Sequence, residues 1–371
     1  MAEAPSELWY VSEGKRGQQL LDQGDVGAAI AVFEAVLIRL GNAPSYGRAV
    51  ILERLGRSLY LAAQPESAVG WLRDALEVAG KLPPSNGVKG LRGTLRSELG
   101  DALRALGQPG EARKAYEAAL KIAEDLQDLR AQGVDLSQLG TLAVAEGRVA
   151  EALEHHNAAL ERFQQLGDLA LTAAAWQQLG RVFEAAGQPA EAERHYIEGA
   201  RISQAGGDLG TAAQSWSQLA GLLRRQPGRL ADARLLAQQA LATWQKRSPD
   251  SGQIWKAYGL LAEIAECEAA ETEHLGSRAA LETEARNYRE LERRAPLLFA
   301  TLGRIPVGPS HGRAVLLGRI GRSFRLAGQL ESAILHLREA IDVSRKMRAG
   351  SLEANLHLEL GDTLVAGGMQ A

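Results

Sequence analysis

Seven histidines and one cysteine are the scarce reactive side chains of this 371-residue chain. His155, His156 and His195 invite a catalytic or metal reading, and His155 and His195 hold the same register in successive copies of a repeat. No carboxylate or thiol stands at a fixed spacing beside them, so the spacing assembles neither a nucleophile–base pair nor a ligand set. The sequence has no P-loop, no G-x-S-x-G, no H-E-x-x-H, and no G-x-G-x-x-G between a strand and a helix. Cys267 cannot close an internal disulfide alone, and no Cys/His spacing suits zinc. It lies one turn past Ala262, where a buried, inert thiol is expected. These residues predict no enzyme, no metal and no cofactor.

Charge offers a second chemistry. Arg54 and Arg57 are i, i+3 neighbours, and Arg319, Arg322 and Arg325 form a run at that spacing. Glu98 with Asp101, and Glu359 with Asp362, stand one copy further on. Opposite charges recurring together suit salt bridges between copies, worth roughly 0–1 kcal/mol each if exposed. The same guanidinium groups also suit a bidentate grip on the carboxylate or phosphate of a ligand.

The elements that must position these groups are helices in a repeat. Hydrophobic residues make up 46% of the chain and aromatics only 5%, so the core must come from Leu, Ala and Val. The charged fraction of 23% argues against disorder, and a net charge of −3 gives no basic excess for nucleic acid. The start, MAEAPSELWYVSEGKRG, lacks the basic and apolar regions of a secretory signal. No stretch approaches the ~18 apolar residues that span a membrane. A soluble, cytoplasmic protein with no nucleic-acid or membrane partner is expected.

A small residue follows Leu or Ile at Gly56, Gly100, Gly140, Gly180, Ala220, Ala262, Gly321 and Gly361, at spacings of 44, 40, 40, 40, 42, 59 and 40. Gly17 marks a degenerate first copy. Leu136, Leu139 and Ala143, like Trp176, Leu179 and Phe183, step by three and four along one helical face. Ala-Gly-Gln-Pro at 186–189 then lets Gly leave one helix and Pro open the next. Asp168 and Asp208 suit the N-caps of following first helices. One helical hairpin cannot bury its own stripe, so an all-α solenoid of stacked antiparallel hairpins is predicted.

Trp176-x-x-Leu179-Gly180-x-x-Phe183, followed by Ala192 and Tyr196, resembles the tetratricopeptide repeat. The closing Pro of that family is absent, and the period near 40 looks like the extended kinesin-light-chain, Pins-like and bacterial Rap-type arrays. The resemblance covers about residues 12–270 and 310–367. It implies a concave groove that binds a protein or peptide, lined by positions beside the Leu-Gly pair. Those positions hold Arg54, Glu98, Gln138, Gln178, Gln218, Arg319 and Glu359 before it, and Arg57, Asp101, Arg181, Arg322 and Asp362 after it. Related arrays place Asn where Gln138, Gln178 and Gln218 stand, clamping a peptide backbone. Gln can both donate and accept in the same way, and it is also an ordinary exposed helix former. The alternative implied by long arrays of this kind is a ligand-sensing or oligomerisation region of a larger bacterial signalling protein, a switch ATPase or a protease.

One superhelix over 1–371 is expected: about six repeats in 12–294, an irregular connector at 295–311, and a second block at 312–371. Pro296, Pro306 and Pro309 make 295–311 a connector or a short inserted helix, serving as a hinge or as packing filler. Residues 44–82 and 309–347 share 22 of 39 residues without gaps, through duplication alone or through a shared role. The last segment reads as a ninth first helix without a second. Its stripe of Leu356, Leu360 and Leu364 is expected to pack on further chain or on another subunit.

Overall fold

A computed structural model describes residues 7–247, 252–303, 310–326 and 328–367. Among the described residues every regular element is a helix, and there are seventeen. They are α1 (Glu7–Asp22), α2 (Val26–Leu40), α3 (Tyr46–Leu61), α4 (Pro65–Gly80), α5 (Asn86–Ala105), α6 (Pro109–Asp125), α7 (Leu129–Ala145), α8 (Val149–Leu166) and α9 (Leu169–Ala185). There follow α10 (Pro189–Ala205), α11 (Leu209–Leu223), α12 (Leu230–Arg247), α13 (Gly252–Glu271), α14 (Leu275–Gly303), α15 (His311–Leu326), α16 (Leu330–Lys346) and α17 (Gly350–Ala366). The small-residue markers all fall on odd-numbered helices. None of the described helices is long and apolar enough to cross a membrane.

Local signals set the helix ends. The Asp168 carboxylate accepts from the Leu171 N–H at 3.0 Å, and that of Asp208 accepts from Gly210 and Thr211 at 3.1 Å. These bonds cap α9 and α11 as the sequence predicts. Gly187 leaves α9 with a left-handed φ of 69°, and Pro189 opens α10. Gly meets no Cβ penalty there, and Pro loses no helical hydrogen bond at a first position.

The chain divides into two compact units, Met1–His195 and Tyr196–Ala371. In the first, each hairpin pairs an odd helix with the next even one, and the even helix also packs on the odd helix that follows. Along the row α1, α3, α5, α7 and α9 each odd helix approaches the next at close backbone range, whereas the even helices stand further apart, Arg113 of α6 reaching Glu151 of α8 through a long side-chain ion pair. The odd helices therefore form the tighter inner layer. The marker glycines explain how the pairs close. A Cβ at Gly56 would lie 2.7 Å from Leu72, at Gly100 2.5 Å from Tyr116, and at Gly140 2.7 Å from His156. Each glycine is a notch for a large side chain sixteen residues later on the second helix.

The second unit uses the same notch at Gly321, 2.7 Å from Leu337. Its irregular part differs from expectation. Residues 295–303 form no irregular connector: they continue α14 through Pro296, while 304–309 lie outside the described residues. Pro removes one backbone donor from the ladder. In compensation Phe299 packs at 5.3 Å from Trp255, 6.4 Å from Phe324 and 5.6 Å from His336, between centroids. The Phe299 ring thus packs among α13, α15 and α16. The long α14 packs against both α13 and α15, which meet each other through the Tyr258 and Phe324 rings, 6.3 Å apart between centroids.

The C-terminal stripe also needs correction. Leu356 is not left bare; it is buried against Ala314, Leu317 and Leu337, and Leu360 packs at the edge of that cluster. Leu364 is half-buried. A first helix docks on the preceding hairpin before it meets its own partner, which covers part of the stripe. The large apolar side chains exposed on the described part of α17 are Leu358 and Val365. No described residue comes within 4 Å of where a Cβ would sit on Gly361.

Candidate functional site

The inner layer of the first unit opens a cavity of about 660 Å³ between α3, α5 and α7, floored by α4 and α6. Gly90, Gly93 and Ser97 on α5 leave the space, and Ile122, Leu126 and Val134 line its apolar part. At the other end stand Arg57, Glu98, Asp101 and Asp135. Three predicted groove residues, Arg57, Glu98 and Asp101, are thus brought together here.

The carboxyl groups meet at close quarters. The Glu53 and Glu98 side chains stand beside each other here. Burial pushes both up from the usual carboxylate range, and the neighbouring Glu53 adds to the rise at Glu98. Asp101 accepts from the Tyr116 hydroxyl at 2.7 Å, and burial still raises its pKa against that bond and against Arg104 and Arg57. Asp135 is 3% exposed. Burial pushes it up to about 7; the Ser97 hydroxyl opposes this, and Asp101 and Asp128 add to it. Glu98 Oε2 and Asp135 Oδ1 are buried without a hydrogen-bond partner.

The arginine blocks behave alike. Arg57 lies 4.0 Å from Glu98, while Arg322 pairs with Glu359 and Arg325 reaches the same Glu359 at 3.3 Å. Each bridges neighbouring first helices, the arrangement a salt-bridge ladder requires. Arg54 lies over Gly14 of α1, and Arg319 and Asp362 are exposed. The amides do not enter the cavity. Gln138 is half-buried on α7, and Gln178 accepts from Arg181 at 3.3 Å on its own helix. Gln218 lies in the second unit with its Oε1 buried and unpartnered.

The histidines have packing roles. His156 fills the Gly140 notch at 1% exposure, and burial lowers its pKa to about 4. His195 lies 5.1 Å from Trp176 and 4.6 Å from Phe183, and His155 is 3.5 Å from Glu151. Cys267 is half-buried rather than buried. No three described His, Cys, Asp or Glu side chains converge closely enough to hold a metal ion.

Sequence reasoning missed Glu53, Tyr116 and Asp135 as site residues. A signal existed for Asp135. Five residues before the marker, other copies carry Ile51, Leu95, Ala175, Ser215, Ala257, Leu316 and Leu356. An aspartate in that core register is the exception.

Residues 15–85, 95–126 and 134–205 match models of the tetratricopeptide repeat. The chain carries tetratricopeptide repeats. No curated protein matches it. Among solved structures, a signal transduction ATPase with numerous domains and a tetratricopeptide repeat sensor, from Pyrococcus horikoshii, is similar with a TM-score of 0.61 at 14% identity. That likeness covers 79% of this chain and 43% of the ATPase, so the chain spans less than half of that relative. The apo quorum sensor NprR from B. thuringiensis aligns with a TM-score of 0.56 at 13% identity, over 90% of this chain and 87% of NprR. BtubC from P. vanneervenii gives 0.53 at 19% identity, over 67% and 95%. At these identities the likeness is one of fold. The tetratricopeptide repeats supply the hairpin stack.

Proposed function

We propose that the chain is a binding scaffold that takes a protein or peptide segment along the inner layer of its first helices. The observation that carries this reading is the cavity between α3, α5 and α7, where buried polar atoms of Glu98 and Asp135 lack partners. Buried acceptors without donors are costly, and a bound segment would satisfy them. Outside the cavity, Gln138, Gln178 and Arg181 extend the proposed contact surface within the first unit; Gln218, Arg319, Arg322 and Arg325 are proposed as contact residues of the second unit by itself.

The test is a selection of random 12-residue peptides on the full chain, followed by binding to two variants. Thr94→Trp fills the cavity from an exposed position on α5 and should weaken binding about tenfold or more. Glu117→Ala, exposed on α6, should leave it unchanged. Full binding to Thr94→Trp would remove the cavity from the interface.

The fold likeness to a repeat sensor favours a second reading, a ligand-sensing region of a larger bacterial signalling protein. A natural reading frame joining these repeats to a switch ATPase or protease would decide for it.

A further inference from the structure

We propose that the carboxylate end of this cavity, formed by Glu98, Asp101 and Asp135, receives the cationic side chain of a lysine or arginine on the bound segment. The inference rests on the segment-binding reading above and names the chemistry of what is bound.

Asp135 carries it. The side chain is 3% exposed, lines the cavity, and leaves Oδ1 without a partner. Around it stand the Ser97 hydroxyl and two further carboxylates, Asp101 and Asp128. A buried carboxylate facing like charges is short of a cation and of a donor, and an ammonium or guanidinium group supplies both. Glu98 adds a second unpartnered acceptor atom at the same end.

The rest of the cavity suits the stem of such a side chain. Ile122, Leu126 and Val134 offer apolar surface to methylene groups while the charged head reaches the acids. At about 660 Å³ the space exceeds one side chain and leaves room for adjoining backbone. Arg57 does not close the site, since its side chain is 55% exposed and stands 4.0 Å from Glu98. Exposed pairs of this kind are weak, so the guanidinium can swing aside. A metal ion fits less well, because no three described acidic, His or Cys side chains converge enough to ligate one.

The experiment uses peptides selected on the full chain and measures their affinity by fluorescence anisotropy. The expected result is a shared basic position whose replacement by norleucine weakens binding about tenfold or more. The same replacement should cost little in Asp135→Asn or Glu98→Gln, because the pair is already broken there. Both variants are near-isosteric and should keep wild-type helicity by circular dichroism; if one fails to fold, the other decides. Selected peptides indifferent to norleucine would overturn the cationic pocket while leaving segment binding intact. Loss on N-terminal acetylation in place of loss on norleucine would overturn it in favour of a terminal amine. Failure to select any peptide would overturn both readings.

Discussion

The Tyr116 hydroxyl donates a 2.7 Å hydrogen bond to Asp101 while its ring fills the notch left by Gly100. One side chain thus closes the α5–α6 hairpin and holds an acid of the inner layer. Tyr116→Phe keeps the ring and removes the bond. It should cost about 1 kcal/mol of stability in urea unfolding. An unchanged midpoint would show that the bond contributes nothing net.

The notch itself can be tested against a helix where it is empty. Gly100→Ala puts a methyl 2.5 Å from Tyr116 and should destabilise, overpacking of about 1–3 kcal/mol outweighing the helix propensity gained. Gly361→Ala meets no described neighbour and should stabilise by roughly 0.5–1 kcal/mol. Equal effects by thermal unfolding would contradict the assignment of Gly100 as a packing notch.

Asp135 gives a pH signature. Its pKa is about 7 when folded, against roughly 3.9 unfolded. Between those values the folded chain holds a proton that the unfolded chain releases, so stability falls as pH rises from about 4 to 7. Asp135→Asn removes that slope. The variant should match the wild type near pH 4–5 and exceed it near pH 8 by an order of a few kcal/mol. The groups lining this site, Arg57 and Tyr60 on α3, Ser97, Glu98 and Asp101 on α5, and Asp128 and Arg130 at the start of α7, are unchanged in both proteins. Parallel urea midpoints across that range would show that Asp135 ionises normally.

Arg322→Glu separates a ladder from a ligand grip. Arg322 is 58% exposed, and Arg325 still holds Glu359 at 3.3 Å. The stability loss should therefore be about 1 kcal/mol or less and should shrink at high salt. Thermal melts at low and high salt check this. A larger salt-insensitive loss would mean that the pair is buried in the working protein.

Much of the architecture was legible because it is written locally. The three-and-four stripe of Trp176, Leu179 and Phe183 needs only helical geometry, and the caps at Asp168 and Asp208 need only the next three residues. Gly187 and Pro189 place a helix break through their own backbone limits. The candidate site was legible in part: Arg57, Glu98 and Asp101 were identified by their register beside the marker glycines. Gln138 and Gln178 shared that register but stay out of the cavity, because register gives a helix face and not the gap between neighbouring helices.

The sequence by itself determined the all-helical class, the hairpin period and the face each odd helix turns to its neighbours, since all three follow from spacing within one repeat. Only the tertiary structure decided that Glu53 of α3 meets Glu98 of α5, and that Asp135 of α7 sits buried beside Ser97. It also decided that Pro296 stays inside a helix, held by the aromatic packing of Phe299. These outcomes depend on how far apart stacked hairpins settle and which side chains then exclude water. That distance is set by packing across repeats, so no single repeat encodes it.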